Sequence, residues 1–238
     1  MMNQELQKRI LSSIILIPIA LFFIIKGSFL FTFFITICFF VTAYEWHMMS
    51  KKKSYYLFGF IFLVFSFYST FKLINFAGSY HYFLSIVLIC ISTDIGGYIF
   101  GKIFKGPKLI KISPKKTYSG MIGGYILSII ILSVFFTSSY VFPEPKDITT
   151  DIFIFILLVS TISQIGDIII SYFKRLSKIK DTGKIIPGHG GLLDRIDGMI
   201  FAFSIFLCDF NNKYISILLN EKKNNNSWIN RFYRNEYN

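Results

Sequence analysis

Apolar residues in this chain run in long unbroken blocks rather than recurring at every third or fourth position. The blocks extend from Ile10 to Ile25, Ser28 to Met49, Tyr55 to Phe71, Tyr80 to Phe104, Tyr118 to Phe142, Thr150 to Phe173 and Leu192 to Cys208. A helix rises about 1.5 Å per residue, so roughly 20 apolar residues cross a hydrocarbon layer about 30 Å thick. The pattern predicts an all-α fold, a polytopic transmembrane helix bundle with about seven spans. One membrane-embedded domain is expected over residues 1–208, followed by a polar tail, 209–238. The first block is short but lacks a small-residue cleavage site, so it reads as a retained span and not as a removable signal peptide.

Composition agrees with this pattern. Charged residues make up 16% of the chain, below the roughly 25% of soluble domains. The net charge of +12 raises nucleic-acid binding as a question. No basic face with interleaved aromatics stands outside the apolar blocks, so no nucleic-acid partner is expected. The cations instead mark loops. Lys51, Lys52 and Lys53 form one group, and Lys102, Lys105, Lys108, Lys111, Lys115 and Lys116 a second. Lys174, Arg175, Lys178, Lys180 and Lys184 form a third, against Lys26, Lys72 and Lys146 on the opposite side. The positive-inside bias places the N-terminus and the three rich loops in the cytoplasm, with the chain in the cell (inner) membrane. The tail is basic as well, which runs against that bias. It reads as a disordered end, with Trp228, Phe232 and Tyr233 on the headgroups as the alternative. Cys38, Cys90 and Cys208 all lie in apolar segments without metal-ligand spacing and read as small buried hydrophobes.

Acids inside the apolar blocks change the picture from scaffold to site. Asp94, Asp167, Asp194 and Asp197 each interrupt or open a block. An ionised carboxylate at mid-bilayer costs roughly 2.5–3.5 kcal/mol even on the lenient insertion scale. Ser163, Asp167, Ser171 and Lys174 form one helical stripe, and Asp194 and Asp197 share another face. Carboxylates on facing helices can hold Mg²⁺, which favours oxygen ligands and substrate phosphates. A lysine partner for each acid, such as Lys174 for Asp194, is the simpler explanation. The connection Lys180-Asp181-Thr182-Gly183-Lys184-Ile185-Ile186-Pro187-Gly188-His189-Gly190-Gly191 reads as a polyphosphate cradle or as an ordinary turn. His189 could donate to phosphate there or steady the turn. His47 and His81 read as interfacial. Gly97 with Gly101, and Gly120 with Gly124, have the spacing that lets helix backbones approach closely.

The stretch Ser171-Tyr172-Phe173-Lys174-Arg175, then Lys180-Asp181, Pro187-Gly188-His189-Gly190-Gly191 and Asp194-Arg195-Ile196-Asp197 resembles the signature of the phosphatidate cytidylyltransferase (CDP-diacylglycerol synthase) family. Ser163-Gln164-Ile165-Gly166-Asp167, Asp94-Ile95-Gly96-Gly97-Tyr98, Gly101-Lys102 and Ser113-Pro114-Lys115-Lys116-Thr117 with Gly120 are similar to it as well. The resemblance covers roughly Tyr80 to Phe206. It departs at Tyr118-Ser119-Gly120, where the family usually has Trp-Glu-Gly. It implies a polytopic, Mg²⁺-dependent nucleotidyltransferase making CDP-diacylglycerol and pyrophosphate from CTP and phosphatidic acid in phospholipid biosynthesis. It implies Asp167 and Asp194 as metal ligands with Asp197 nearby, and it allows a homodimer.

The expected reaction is attack of the lipid phosphate on the α-phosphorus of CTP. The nucleophile is already ionised, so positioning and charge neutralisation carry the catalysis. Lys174, Arg175 and Arg195 would neutralise phosphate charge. Ser113, Lys115 and Lys116 would hold nucleotide or lipid headgroup, and Lys180, Asp181, His189, Gly190 and Gly191 would shape the loop around pyrophosphate. Two other classes stay open at this point: a cation-coupled transporter, which should show inverted repeats, and another lipid-phosphate enzyme such as a CTP-dependent polyprenol kinase.

Overall fold

The computed structural model describes residues 14, 18–24, 28–77, 80–110, 113–137, 150–186, 188 and 190–208. Six helices order the chain: α1 (Ser28–Ser50), α2 (Tyr56–Ala77), α3 (Tyr80–Phe104), α4 (Tyr118–Thr137), α5 (Thr150–Leu176) and α6 (Leu193–Cys208). Residues 18–24 are helical as well. Among the described residues there is no strand beyond two isolated bridges, Lys108 with Thr117 and Ile186 with Gly190.

Five of these helices, α1 to α5, are long and apolar enough to cross a membrane. The expected span count is therefore met in part. The block from Ile10 to Ile25 lies largely outside the described residues, as does the tail. Helix α6 has 16 residues, roughly 24 Å at the helical rise, and falls short of a full crossing within the described residues. Helix α5 continues past the predicted Phe173 to Leu176, so Lys174 and Arg175 stand on its last turn.

Large apolar side chains such as Phe29, Phe40, Phe58, Tyr98 and Val134 point outward, as a surrounding hydrocarbon solvent requires. Inside, Phe31, Leu73, Ile86, Ile89, Leu132 and Ile156 fill one cluster, and Trp46, Met49, Leu63, Ile170, Leu193 and Ile200 a second near the loop end. Several polar residues in the interior are paired across helices. Thr93 Oγ1 donates to Ser160 Oγ at 2.8 Å, Ser66 Oγ donates to the Ile200 carbonyl at 2.8 Å, and Tyr125 OH meets Thr161 Oγ1 at 2.9 Å. Each bond satisfies a group that lipid could not.

Helices α3 and α4 meet along a glycine seam. A Cβ on Gly96 would lie 2.4 Å from the Gly123 carbonyl oxygen, and one on Gly120 would lie 2.6 Å from that of Gly97. The two backbones are in direct contact there, as the small-residue spacing predicts. Their connection is a tight hairpin. Leu109 N donates to the Lys116 carbonyl at 2.8 Å, Tyr118 N donates to that of Pro107 at 3.2 Å, and Ser119 Oγ donates to that of Lys105. Thr117 caps α4 by accepting from Gly120 N at 3.1 Å. The hairpin, the 51–55 connection and the 177–192 connection all lie at one end of the bundle, where Tyr55 OH meets Ser177 Oγ at 2.7 Å.

Candidate active site

The acids singled out in the sequence converge at this end. Asp94 on α3, Asp167 on α5 and Asp197 on α6 lie close enough to repel one another. Their exposure falls from Asp94 through half-buried Asp167 to buried Asp197. Cations converge with them. The hairpin delivers Lys116, whose Nζ stands 2.5 Å from Asp167 Oδ2. Lys116 and Arg195 face the charge of Asp94, and Lys174 faces that of Asp197. The stripe on α5 is real: Ser171 Oγ donates to Asp167 Oδ1 at 3.2 Å. On the same stripe, Ser163 Oγ is buried beside the Cys90 thiol. It lies against Gly198, where a Cβ would come within 2.4 Å of it. Gly198 N in turn donates to Asp197 Oδ1 at 2.8 Å.

Asp194 stands in a different setting. Its Oδ1 accepts from Lys174 Nζ at 2.8 Å, and its Oδ2 accepts from Thr182 N at 2.8 Å and Gly191 N at 3.0 Å. The simpler pairing that the sequence offers for this acid is thus the one made. Asp194 ties the two ends of the Gly-rich connection together. Among the described residues, Asp167, Asp194 and Asp197 do not gather into one metal-ready cluster, and no other three His, Cys, Asp or Glu side chains do.

The Gly-rich connection is also built differently from a simple anion cradle. Gly190 N donates to the Ile186 carbonyl at 3.2 Å, and Gly191 N is taken by Asp194. Neither amide is open to a phosphate. Gly190 has φ +89°, a left-handed turn that suits glycine. His189 and Pro187 lie outside the described residues. Lys180 and Asp181 are exposed at the start of the connection, and Arg195 is exposed at the start of α6. Arg175 is exposed and donates to the Ile179 carbonyl at 3.1 Å. In the hairpin, Ser113 is half-buried and Lys115 is exposed.

Sequence reasoning missed Glu45. Its carboxylate is 1% exposed and accepts from Leu192 N at 2.9 Å, Leu193 N at 2.7 Å and Thr182 Oγ1 at 3.1 Å. An acid within an apolar block was the available signal.

A helical membrane bundle with acids and cations of separate segments gathered at one end has the architecture of a membrane-embedded enzyme. Comparison with known proteins gives the family. The sequence profile of the cytidylyltransferase family matches residues 51–211, and the chain belongs to that family. A phosphatidate cytidylyltransferase of Rickettsia typhi is 35% identical over 212 residues, 86% of this chain and 91% of that protein. Its namesake in Rickettsia felis is 34% identical over 226 residues, 91% and 94% of the two chains. That of Staphylococcus haemolyticus is 40% identical over 131 residues, 52% and 47%.

Proposed function

We propose that this chain joins CMP from CTP to phosphatidic acid, releasing pyrophosphate and leaving CDP-diacylglycerol in the bilayer. The observation that carries this reading is the meeting of Asp94, Asp167 and Asp197 with Lys116 and Lys174 at the loop end of an apolar bundle. Membership in the cytidylyltransferase family and the names of the relatives support it.

A phosphate oxygen of the lipid attacks the α-phosphorus of CTP. The bond from that phosphorus to the bridging oxygen of the β-phosphate breaks, and pyrophosphate leaves. The lipid phosphate is ionised at neutral pH, so no side chain need remove a proton. The residues position two anions that repel each other and neutralise charge as it shifts to the leaving group. Lys116 and Lys174 each hold a carboxylate and can exchange it for a phosphate oxygen as the triphosphate binds. Arg175 and Arg195 supply exposed guanidinium groups, whose paired donors suit phosphate. Lys115 and Ser113 at the hairpin, and Lys180 and Asp181 at the start of the Gly-rich connection, form the rim.

The carboxylates supply the oxygen donors that Mg²⁺ prefers, although no three of them gather into a ready site among the described residues. An ammonium, that of Lys116, already sits on Asp167 where an incoming cation would replace it. Asp167 and Asp197 would hold the ion with Asp94, and Asp194 could join by giving up Lys174. When bound, Mg²⁺ would supply neutralisation of phosphate charge. The positive-inside bias supports a cytoplasmic site in the inner membrane, where CTP meets the headgroups.

The test is direct. Purified protein in detergent with labelled CTP, phosphatidic acid and Mg²⁺ should give lipid-linked cytidine and pyrophosphate. A lipid product carrying only an added phosphate would replace this reading with a kinase.

A further inference from the structure

Glu45 lies on the last turns of α1, six residues before the segment matched by the family profile begins. It reaches across 148 residues of chain to Leu193. The first amides of a helix have no partner within that helix. For α6, two such donors, Leu192 N and Leu193 N, are taken by Glu45 rather than by a local capping residue. The same carboxylate accepts from Thr182 at the opposite end of the Gly-rich connection. Glu45 and Asp194 therefore grip this connection from its two sides, Asp194 through Thr182 N and Gly191 N.

Two glycines of the connection are shaped around this grip. A Cβ on Gly191 would lie 2.5 Å from Glu45 Oε2, and one on Gly183 would lie 2.7 Å from Oε1. Any side chain at either position would expel the carboxylate. Beside it, Trp46 is held by its Nε1 donating to the Tyr56 carbonyl at 3.0 Å and by its edge against the Phe173 ring. Glu45 is thus fixed by α1 and α2 while it fixes the start of α6, from which Asp194, Arg195 and Asp197 project.

We infer that Glu45 is a positioning residue for the transfer reaction: its carboxylate sets the register of the Gly-rich connection and of α6, and so the placement of Asp194, Arg195 and Asp197 on the triphosphate. This rests on the function proposed above. Glutamine is the sharp probe, because each Glu45 oxygen faces donors and an amide NH₂ would set donor against donor. Aspartate keeps two acceptor oxygens on a shorter stem.

The experiment compares the full chain with Glu45→Gln, Glu45→Asp and Thr182→Val in detergent. Amide hydrogen exchange without substrate should rise about tenfold at 191–193 in Glu45→Gln, with exchange in α3 and α4 unchanged. In the CTP assay, kcat should fall about tenfold or more while KM for phosphatidic acid stays within about twofold, since misplacement of about 1 Å can lower rate a hundredfold. Glu45→Asp should recover part of kcat, and Thr182→Val should show the same split in milder form. Should Glu45→Gln fail to fold, the other two variants carry the comparison. Unchanged exchange at 191–193, or kcat of Glu45→Gln within about twofold of the parent, overturns the inference, as does a loss confined to thermal stability. A parent protein that transfers no CMP sinks the functional reading instead, and the exchange data still decide whether Glu45 holds the loop.

Discussion

Lys174 Nζ stands 2.8 Å from Asp194 Oδ1, with the two side chains only 11% and 6% exposed. The pair joins the last turn of α5 to the first turn of α6 across the Gly-rich connection. Removing one member leaves the other charge buried without its partner, at a cost of about 3–5 kcal/mol. Lys174→Met should therefore lower the melting temperature in detergent and abolish CMP transfer. Asp194→Asn sets an amide NH₂ against Lys174 Nζ or against Thr182 N and Gly191 N and leaves the ammonium without its counter-charge, so it should also melt earlier and lose most activity. A melting curve beside the CTP assay reads both outcomes.

Lys116 on Asp167 leads to a different expectation, because this pair is about a quarter exposed on each side and solvent screens it. Its loss should cost about 1 kcal/mol or less. Lys116→Met should fold normally and raise KM for CTP about tenfold through loss of one phosphate-binding cation. Lys116→Arg should recover part of the affinity. The readout is KM for CTP with phosphatidic acid saturating.

Chelation addresses the carboxylates. Excess EDTA should stop CMP transfer, and added Mg²⁺ should restore it. Asp167→Asn and Asp197→Asn should each lower kcat about a hundredfold or more, the scale seen when charge-stabilising groups are removed. They should also shift the Mg²⁺ titration to higher concentration. Asp94→Asn, the most exposed of the three acids, should act in the same direction with smaller effect.

The glycine seam gives a prediction about folding. Gly96→Ala and Gly120→Ala place a methyl group 2.4 Å and 2.6 Å from a backbone carbonyl oxygen on the facing helix, a steric overlap that forces the backbones apart. Overpacking of this kind costs about 1–3 kcal/mol. Both variants should melt earlier. They should also lose activity, because separating α3 from α4 shifts the hairpin that carries Lys116.

Orientation can be read by labelling. Cysteines introduced at Lys115 and Lys180, both exposed, should resist a membrane-impermeant maleimide in intact cells and react in inside-out vesicles. The reverse pattern would place the site on the outer face.

Much of this architecture is legible in the sequence, because hydrocarbon allows so few structures. Apolar blocks mark helices α1 to α5, and the spacing of Ser163, Asp167, Ser171 and Lys174 marks a polar face. The glycine pairs correctly announce the α3–α4 contact. Spacing along one helix says nothing, however, about which residue stands opposite on another. The pairing of Lys116 with Asp167 depends on the hairpin geometry, and that of Glu45 with Leu193 on the packing of α1 beside α6. The Gly-rich connection misleads for a similar reason. Its glycines read as open amides for phosphate, yet Gly190 N and Gly191 N are spent within the fold, and Gly183 and Gly191 make room for a glutamate.

The span of the Glu45 contact bears on how the protein is made. Its carboxylate enters the membrane with the early helices, while the amides that claim it are synthesised 148 residues later. Until then a charged group waits in the bilayer boundary without its protein partners. Final closure of the reaction centre thus belongs to the last of the described helices, and a chain truncated before Leu192 would hold most of its spans and no catalytic power.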